Sequence, residues 1–550
     1  MTKQQQSPES WRLVISDWRL NNRLLPSWGC LLFAIYYLLS TASLAQTVKR
    51  IELPIPQGND EYHTISLGKE GVLLVAQMSK TSLNLQKFNT DLGRDWSIDG
   101  VIENGLDFVK SSYDGKSVYL LFSRTRTDFY QVVKVNIGPG YIENYYLSSV
   151  DRFQITDFQT LGYSVFMAGT VRDEPLLIYT NLLNKQSKIL PGVSQKNSVI
   201  QSVEADTLHK VVNVCFATKK GKEILLIAKT FDENGDAFGQ TVVEPDDDYS
   251  FLNGRLFIIN DSTKLLVGTY GYRNMQSNSS TASQGLFLSK IVFDEVEFTK
   301  YNSFTDFQNF FSFMSERQQE KMQRRIERKK EGGNELKLDY KLLVHDIIQQ
   351  GNDYLVVGEV FYPEYKYNNN NYGNFGMGGF GSPFGFSPFG FSPFGFGGGR
   401  LYNPYFYDPF YTGRRLNNGQ VFSGFIYTHA IVASFNDKGD RLWDNSMPFD
   451  GLKTMELKEK VRVKLNDDRS VALSYGDKGL INSKVFAQNI ATTEKQTMAV
   501  TTDDNADQVK RTTTDEVLHW FDNYYLAYGY QRIAGVEGKR NVFYMNKISF

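Results

Sequence analysis

The chain has 550 residues, of which 41% are hydrophobic and 22% charged, and its formal net charge is −1 at pH 7. This length and apolar content allow a large buried core, and the near-neutral charge argues against nucleic acid as a partner. Of the two cysteines, only Cys215 lies beyond the first 45 residues, so we expect no internal disulfide in the remainder.

The N-terminal segment has the pattern of an export signal. Residues 1–27 are polar with four basic side chains, residues 28–45 are apolar, and the run ends in Ser43-Leu44-Ala45. A basic leader, an apolar stretch and small residues before the cut are typical of a signal peptide. We predict a signal peptide over residues 1–45, cleaved after Ala45. The alternative is a retained membrane anchor, because the apolar run approaches the length of a membrane span.

Eight short strand-like segments then recur at a spacing of about 47 residues, apart from two gaps of 90 and 116 residues. Periods of about 40–50 residues with several strands per unit indicate a β-propeller. We therefore predict an all-β fold: a β-propeller of seven or eight blades in which residues 46–550 form a single domain, with a helical insertion and a Gly/Phe/Asn-rich loop insertion. The segments are centred on the small residues Ala76, Ser123, Gly169, Ala217, Gly268, Gly358, Ser474 and Gly529.

Most of these segments are followed by a second apolar stretch. Three of the second stretches lead into turns that have the same sequence pattern. An Asn or Asp begins the turn, a Gly follows three or four residues later, and an aromatic residue comes next. This pattern predicts hairpins in which the Gly has positive φ and the aromatic residue packs between neighbouring sheets. The residues are Asn89, Gly93 and Trp96; Asp232, Gly235 and Phe238; and Asn436, Gly439 and Trp443.

Short motifs in the chain resemble those of known propellers. Residues 113–119 resemble the D-G-K-x-[VI]-x strand entry of TolB-like propellers, loosely also WD40-like strands, and residues 466–471 are a looser copy. Residues 89–96 resemble the Asp box of sialidase-type propellers, except that Asn89 replaces the hydroxyl residue. In that family the box is a structural turn, so the resemblance implies a fold and no sialidase activity.

The two ends of the domain are predicted to share one blade. Residues 547–550 align with residues 290–293, after which the earlier unit continues into a further strand that the C-terminus lacks. Residues 47–55 have the composition to supply that strand. A first strand that completes the last blade closes a propeller without an exposed edge; the alternative is two terminal strands in an open sheet.

The first enlarged gap contains a predicted charged helical insertion over residues 303–333. Thr305 and Gln308 have the spacing of a capping box, which predicts one helix of five or six turns up to Gly332. We expect its aromatic first half, with Phe307, Phe310, Phe311 and Phe313, to dock against the ring. The second half is the candidate contact for anionic lipid headgroups or an acidic partner, and the alternative is a solvated, salt-bridged helix face. The candidate residues are Arg317, Lys321, Arg324, Arg325 and Arg328.

The second enlarged gap contains a low-complexity insertion, rich in Gly, Phe, Asn and Pro, over residues 362–420. Three tandem copies of SPFGF occupy residues 382–396. Gly and Pro at this density prevent a regular helix or central strand, and exposed aromatic surface favours binding to a protein partner, a membrane edge or a second copy of the chain. The alternative is packing of the insertion on the propeller itself. The candidate contact residues are Phe384, Phe386, Phe389, Phe391, Phe394 and Phe396.

The sequence offers little support for catalysis. The five histidines are scattered, and HExxH, CxxC and G-x-S-x-G are all absent. Cys215 lies in a predicted buried strand, where a core role is expected. We predict no cofactor and no metal, and we lean against an enzyme.

The favoured hypothesis is a non-catalytic exported propeller that acts as a protein-interaction or assembly module, with contacts made by the insertions. The aromatic-rich and Asn-rich composition resembles that of exported Bacteroidota proteins, which implies the periplasm or the periphery of the outer membrane. An envelope protein is the expected partner, and peripheral membrane contact is a further expectation. The first alternative is a carbohydrate-binding or carbohydrate-active propeller that uses the central pocket. The second is an outer-membrane barrel protein, because the terminal Phe550 resembles a barrel assembly signal.

Overall fold

The computed structural model describes residues 46–549 except 56–60, 125–127, 149, 173, 194–196, 222, 274–281, 346, 368–419, 501, 505 and 537. The predicted signal peptide over residues 1–45 and the six SPFGF phenylalanines therefore lie outside the described residues. Among the described residues, no helix is long and apolar enough to cross a membrane.

The strands of the first half of the domain form four antiparallel meanders of four strands each. They follow β1 (Gln46–Pro54), which belongs to the last sheet. Blade 1 contains β2 (Glu61–Ser66), β3 (Val72–Gln77), β4 (Ser82–Phe88) and β5 (Arg94–Val101); blade 2 contains β6 (Asp107–Tyr113), β7 (Ser117–Ser123), β8 (Phe129–Asn136) and β9 (Tyr141–Ser148); blade 3 contains β10 (Gln154–Leu161), β11 (Ser164–Val171), β12 (Glu174–Asn181) and β13 (Ser187–Ile189); blade 4 contains β14 (Ser198–Asp206), β15 (Val211–Lys220), β16 (Glu223–Asp232) and β17 (Ala237–Val243).

The second half repeats the plan, with additional short strands in blades 6 and 7. Blade 5 contains β18 (Tyr249–Asn260), β19 (Thr263–Tyr272), β20 (Gly285–Val292) and β21 (Glu295–Ser303); the helix α1 (Glu316–Glu331) follows; blade 6 contains β22 (Lys341–Val344), β23 (Ile348–Gln350), β24 (Asp353–Tyr367), β25 (Gln420–Phe435), β26 (Arg441–Pro448) and β27 (Lys453–Thr454); blade 7 contains β28 (Arg462–Leu465), β29 (Val471–Asp477), β30 (Leu480–Ala487), β31 (Ile490–Ala491) and β32 (Gln496–Ala499); blade 8 contains β33 (Gln508–Phe521), β34 (Tyr524–Gly535) and β35 (Gly538–Ser549). Among the described residues, short 3-10 turns span Gly68–Glu70 and Phe304–Asp306.

The eight sheets form a closed ring. Eight clusters of buried apolar side chains are found among the described residues, and each lies between two successive sheets. One of them joins blade 8 to blade 1, where Leu526 and Phe543 pack with Val72 and Leu74. Every sheet is therefore covered on both faces by its neighbours. The fold is the predicted all-β propeller, and it has eight blades.

The N-terminal strand completes the last blade, as predicted. β1 pairs antiparallel with β35, with Ile51 opposite Met545 and Leu53 opposite Phe543. Arg50 on β1 has a fully buried side chain that donates to Gln531 Oε1 at 2.7 Å and to Asn546 Oδ1 at 3.2 Å. Residues almost 500 positions apart in the chain are thereby joined in one sheet.

The eight small residues that mark the repeat all lie in the second strand of a blade. In blade 6 this second strand is β24, because the short β23 lies outside the main four-strand order β22-β24-β25-β26. The reason for the small residues is visible at Gly169 and Gly268, where the adjacent first strand carries a β-bulge. A Cβ atom at Gly169 would lie 2.1 Å from the carbonyl oxygen of Gln154, and one at Gly268 would lie 1.9 Å from that of Asn253. At these two positions the bulged backbone leaves no space for a larger residue.

The three shared turns connect the third and fourth strands of blades 1, 4 and 6, and the side chain that begins each turn accepts two backbone N–H bonds. Two details of the prediction are wrong. In the first turn Leu92, not Gly93, has positive φ. Phe238 does not pack between sheets, because 62% of its surface is exposed. Trp96 does pack there, and its indole N–H donates to the Ile137 carbonyl of blade 2 at 3.2 Å.

Candidate interaction surface

Both insertions leave the ring on the same side and from neighbouring blades. The first connects the last strand of blade 5, β21, to the first strand of blade 6, β22, and the second connects β24 to β25. Strand direction alternates within an antiparallel meander, so the link from second to third strand and the link to the next blade lie at the same end of the sheets. The other hairpin turns lie at the opposite end.

The first insertion begins with an aromatic segment that packs into the ring. Phe304, Phe307, Phe310 and Phe311 are buried in the cluster between blades 5 and 6. The half-buried ring of Phe313 stacks on His429 of β25, with 4.3 Å between the ring centroids. This half of the insertion is not helical apart from the short 3-10 turn, so the predicted helix of five or six turns is too long.

The capping box also lies ten residues later than predicted. Ser315 and Gln318 form it, whereas the N–H of Gln308 is donated to Asp444. The Phe-rich segment follows the shape of the blade interface, because its aromatic rings gain more by burial there than from helical hydrogen bonds exposed to water.

A buried carboxylate fastens this segment to the outer strand of blade 6. Asp444 on β26 accepts hydrogen bonds from the backbone N–H groups of Gln308 at 3.0 Å and Asn309 at 2.7 Å, and it pairs with Arg441. The Asn309 side chain donates to the Asp444 carbonyl at 2.8 Å, and Arg441 donates to the Asp306 carbonyl at 2.6 Å. The segment that leads into α1 is therefore held at several points.

The helix α1 lies with one side against this segment. Ile326 is buried, and Met322 packs partly against the same cluster. Gln319 donates to the Met314 carbonyl at 2.7 Å, and Lys330 pairs with Asp306 at 2.5 Å. The helix is thus fixed on the ring by its cap, its apolar side and its last turn.

The five basic residues predicted to bind a partner are all exposed on α1. Among the described residues, the structure gives an ion pair to only one of them, Arg324, which lies 3.2 Å from Glu320. All five are therefore solvated, as the alternative prediction has them, and its salt bridge is found at one of the five. The candidates are Arg317, Lys321, Arg324, Arg325 and Arg328.

The second insertion begins and ends as a long hairpin. The last described pair is Tyr367 with Gln420, whereas the first residue of β22, Lys341, lies opposite Phe361. Six residues of β24 therefore continue past β22, which corresponds to about 20 Å of strand. The rings of Tyr365 and Phe422 lie 5.8 Å apart, and Phe422 in turn packs 5.0 Å from Phe425 at the edge of the core between blades 6 and 7.

A buried group of charged residues connects blades 5 to 8 near their first strands. Glu516 of β33 pairs with Lys458 at 2.7 Å and Lys460 at 3.2 Å, and Arg255 of β18 pairs with Glu459 at 3.1 Å. Burial alone would raise the pKa of the Glu516 carboxyl, but the two lysines hold it well below its ordinary value. This group could not be predicted from the sequence, because its members come from segments that are distant in the chain.

His345 extends the same group through Glu359, whose carboxylate lies 2.8 Å from the imidazole and also accepts the backbone N–H groups of Lys460 and Val461. Burial would lower the pKa of His345, but Glu459 and Glu359 outweigh it and raise that pKa above its ordinary value. The segment over residues 458–461 is thereby tied to β24. The group is a structural connection between enlarged blade 6 and its neighbours.

The described residues do not bring the histidines together into a reactive site. His63 and His429 are buried, and burial lowers the pKa of each to about 3. Cys215 is buried in β15, and burial raises the pKa of its thiol. Within the described ranges, no group of three or more His, Cys, Asp or Glu side chains is arranged to hold a metal ion.

Comparisons with known proteins give distant likenesses of fold. No protein-family model matches the chain, and no curated protein sequence matches it. Among solved structures, it is similar to the β-propeller domain of the Trilobed protease from Pyrococcus furiosus, with 9% identity and a TM-score of 0.31 over 81% of this chain and 94% of that one. It is also similar to TolB from Acinetobacter baumannii, with 13% identity and a TM-score of 0.24 over 59% and 64%.

A third likeness is to the tricorn protease, with 9% identity and a TM-score of 0.35 over 83% of this chain and 36% of that one. The chain thus spans about a third of the tricorn protease. At these identities and TM-scores the likenesses carry no argument about activity or partners. The fold assignment rests on the eight sheets and their closure.

Proposed function

We propose that this protein is a non-catalytic, exported propeller that acts as a protein-interaction or assembly module at the periplasm or outer membrane. The observation that carries the proposal is that both insertions depart from one side of the ring, at the blade 5–6 junction and within blade 6. Loops on a rigid scaffold are the usual place for binding. The ring supplies the scaffold, the Asp444 contacts hold the start of the first insertion, and the paired strands β24 and β25 hold both ends of the second as far as Tyr367 and Gln420.

The test is capture of a partner by variants of the chain without its predicted signal. One variant lacks residues 368–399, and a matched control lacks residues 275–280, which lie in the corresponding second-to-third-strand link of blade 5. Cross-linking in envelope fractions identifies candidate proteins, and each candidate is then purified and tested for direct binding. We expect the loop deletion to lower affinity for a purified partner while the control deletion leaves it unchanged.

Thermal unfolding of the three proteins separates loss of binding from loss of fold. We expect the loop-deleted chain to unfold at the temperature of the intact chain, because β24 and β25 remain paired up to Tyr367 and Gln420. Equal binding of a purified partner by all the variants would refute the role of the loop. If no purified envelope protein binds while a glycan does, the carbohydrate-binding alternative replaces the proposal.

A further inference from the structure

The outward side of α1 carries a line of basic residues with helical spacing. Arg317, Lys321, Arg324 and Arg328 follow one another at intervals of four, three and four positions. At about 100° per residue, these four side chains lie opposite the buried Ile326, and at 1.5 Å per residue they span about 17 Å. We call these four residues the basic stripe.

The acidic residues of α1 are gathered on one flank of the stripe. Glu316, Glu320, Glu327 and Glu331 lie on the same flank at this angular spacing, whereas Arg325 lies on the other. The helix carries seven basic and four acidic residues, a net charge of +3, in a chain whose net charge is −1. The charges are therefore separated into parallel rows, and the basic row faces away from the ring.

We propose that the basic stripe binds an acidic segment of a partner protein, an inference that rests on the proposed interaction function. Three of the four residues are arginines, and the planar guanidinium matches a carboxylate with two parallel hydrogen bonds. A narrow segment with Asp or Glu on successive turns contacts the stripe alone. Basic residues beside those carboxylates then face the row of glutamates on α1, which fixes the register of the two segments.

The structure favours a protein over a lipid surface. Helices that lie on membranes present Trp, Phe or Leu toward the lipid, whereas the apolar residues Met322 and Ile326 of α1 pack on its own ring. A flat anionic surface broad enough to meet the stripe also approaches Glu320 and Glu327, which repel it. The capping box and the Lys330–Asp306 pair hold the helix in place, so little ordering is needed on binding.

The experiment measures binding of a labelled peptide to the whole chain without its predicted signal. The probe is a helical peptide of about five turns with Glu at positions i, i+4, i+7 and i+11, and its comparison is a scrambled peptide of equal composition. Vesicles of phosphatidylcholine with phosphatidylglycerol form a separate arm. The stripe variant combines Arg317→Gln, Lys321→Gln, Arg324→Gln and Arg328→Gln.

A control variant makes the same change in charge on the opposite side of the ring. It combines Lys116→Gln, Lys185→Gln, Lys210→Gln and Lys438→Gln, all exposed in first-to-second or third-to-fourth strand turns. Each exposed ion pair contributes about 1.4- to 5-fold in affinity. The stripe variant, which loses four, is therefore expected to bind the ordered peptide at least about fourfold more weakly than the intact chain and the control variant. Thermal unfolding confirms that both variants fold.

The inference is overturned if the intact chain binds vesicles and not the peptide, if both peptides bind equally, or if the stripe and control variants weaken binding by the same factor. A purified partner separates this inference from the proposed function. If such a partner binds the stripe variant as well as the intact chain but not the chain lacking residues 368–399, the interaction function stands and the acidic-segment inference fails.

Discussion

Replacement of Arg50 by alanine should open the ring at blade 8. The guanidinium donates to Gln531 and Asn546, and to Glu52 at 2.9 Å, and it lies 5.0 Å from the centre of the Tyr544 ring. Because the side chain is fully buried, alanine leaves the buried oxygens of Gln531 and Asn546 without this donor. Each buried acceptor that loses its donor costs about 1–3 kcal/mol, and we expect a loss of about 4 kcal/mol in the free energy of unfolding.

The matched control is Arg540→Ala on the neighbouring strand β35. Arg540 also contacts Glu52, at 3.0 Å, and pairs with Asp507 at 2.5 Å, but 41% of its side chain is exposed. The Asp507 side chain is only 4% exposed, but water reaches the Arg540 end of the pair, so we expect the control to lose about 1 kcal/mol, less than Arg50→Ala. The two substitutions remove the same side chain from the same blade and differ chiefly in burial.

Thermal unfolding and hydrogen exchange measure the difference. For about 500 residues the unfolding entropy is about 1 kcal/mol per kelvin, so Arg50→Ala should lower Tm by about 4 °C. Exchange should accelerate first at the amides of β1 and β35, because these strands form the closing pair. If Arg50→Ala and Arg540→Ala have equal Tm values, or if exchange rises first in another blade, then the Arg50 contacts do not hold the closing strand.

Three further substitutions test other parts of the structure. Gly268→Ala should lower the free energy of unfolding, measured in urea, by about 1–3 kcal/mol, because its Cβ meets a bulged backbone. The control is Gly138→Ala, on an exposed turn, which should leave that free energy unchanged. Asp444→Asn should make residues 308–314 more sensitive to protease without unfolding the ring. If the variant and the intact chain are cleaved at the same rate, Asp444 does not hold this segment. His429 stays neutral when folded, so stability should fall below about pH 6.5 as the unfolded imidazole takes up a proton. Between neutral pH and about pH 5, the free energy of unfolding in urea should therefore decrease by about 2 kcal/mol less in His429→Gln than in the intact chain.

The repeat could be predicted because its cause is local. In blades 2, 3, 4, 5 and 8 the first strand bulges against the second, as it does opposite Gly169, and a small residue recurs in the second strand of every unit in the sequence. Closure was predictable for a related reason. The last blade lacks one strand of the standard four, and a spare apolar segment precedes the first blade. Both signals depend on the spacing of neighbouring segments, which a single sequence contains.

The start of α1 could not be predicted because two segments have the same capping pattern. Thr305 with Gln308 and Ser315 with Gln318 are both three positions apart, so the capping motif alone does not choose between them, although helix propensity favours the segment after Ser315. The choice is made by Asp444, which lies 136 residues beyond Gln308 and accepts its N–H, and by the Phe residues buried between blades 5 and 6. Long-range burial thus divides the insertion into an aromatic anchor and an exposed basic helix.

That division matters for function. Once the aromatic half is fastened to the ring, the basic stripe of α1 points away from the ring in a fixed position. Charge separation on α1 would have little value in a loose segment, because a mobile helix turns either row of charges toward any neighbour. Binding by the stripe therefore depends on the Asp444 contacts: if Asp444→Asn frees the segment, binding of the acidic peptide should weaken although every stripe residue is retained.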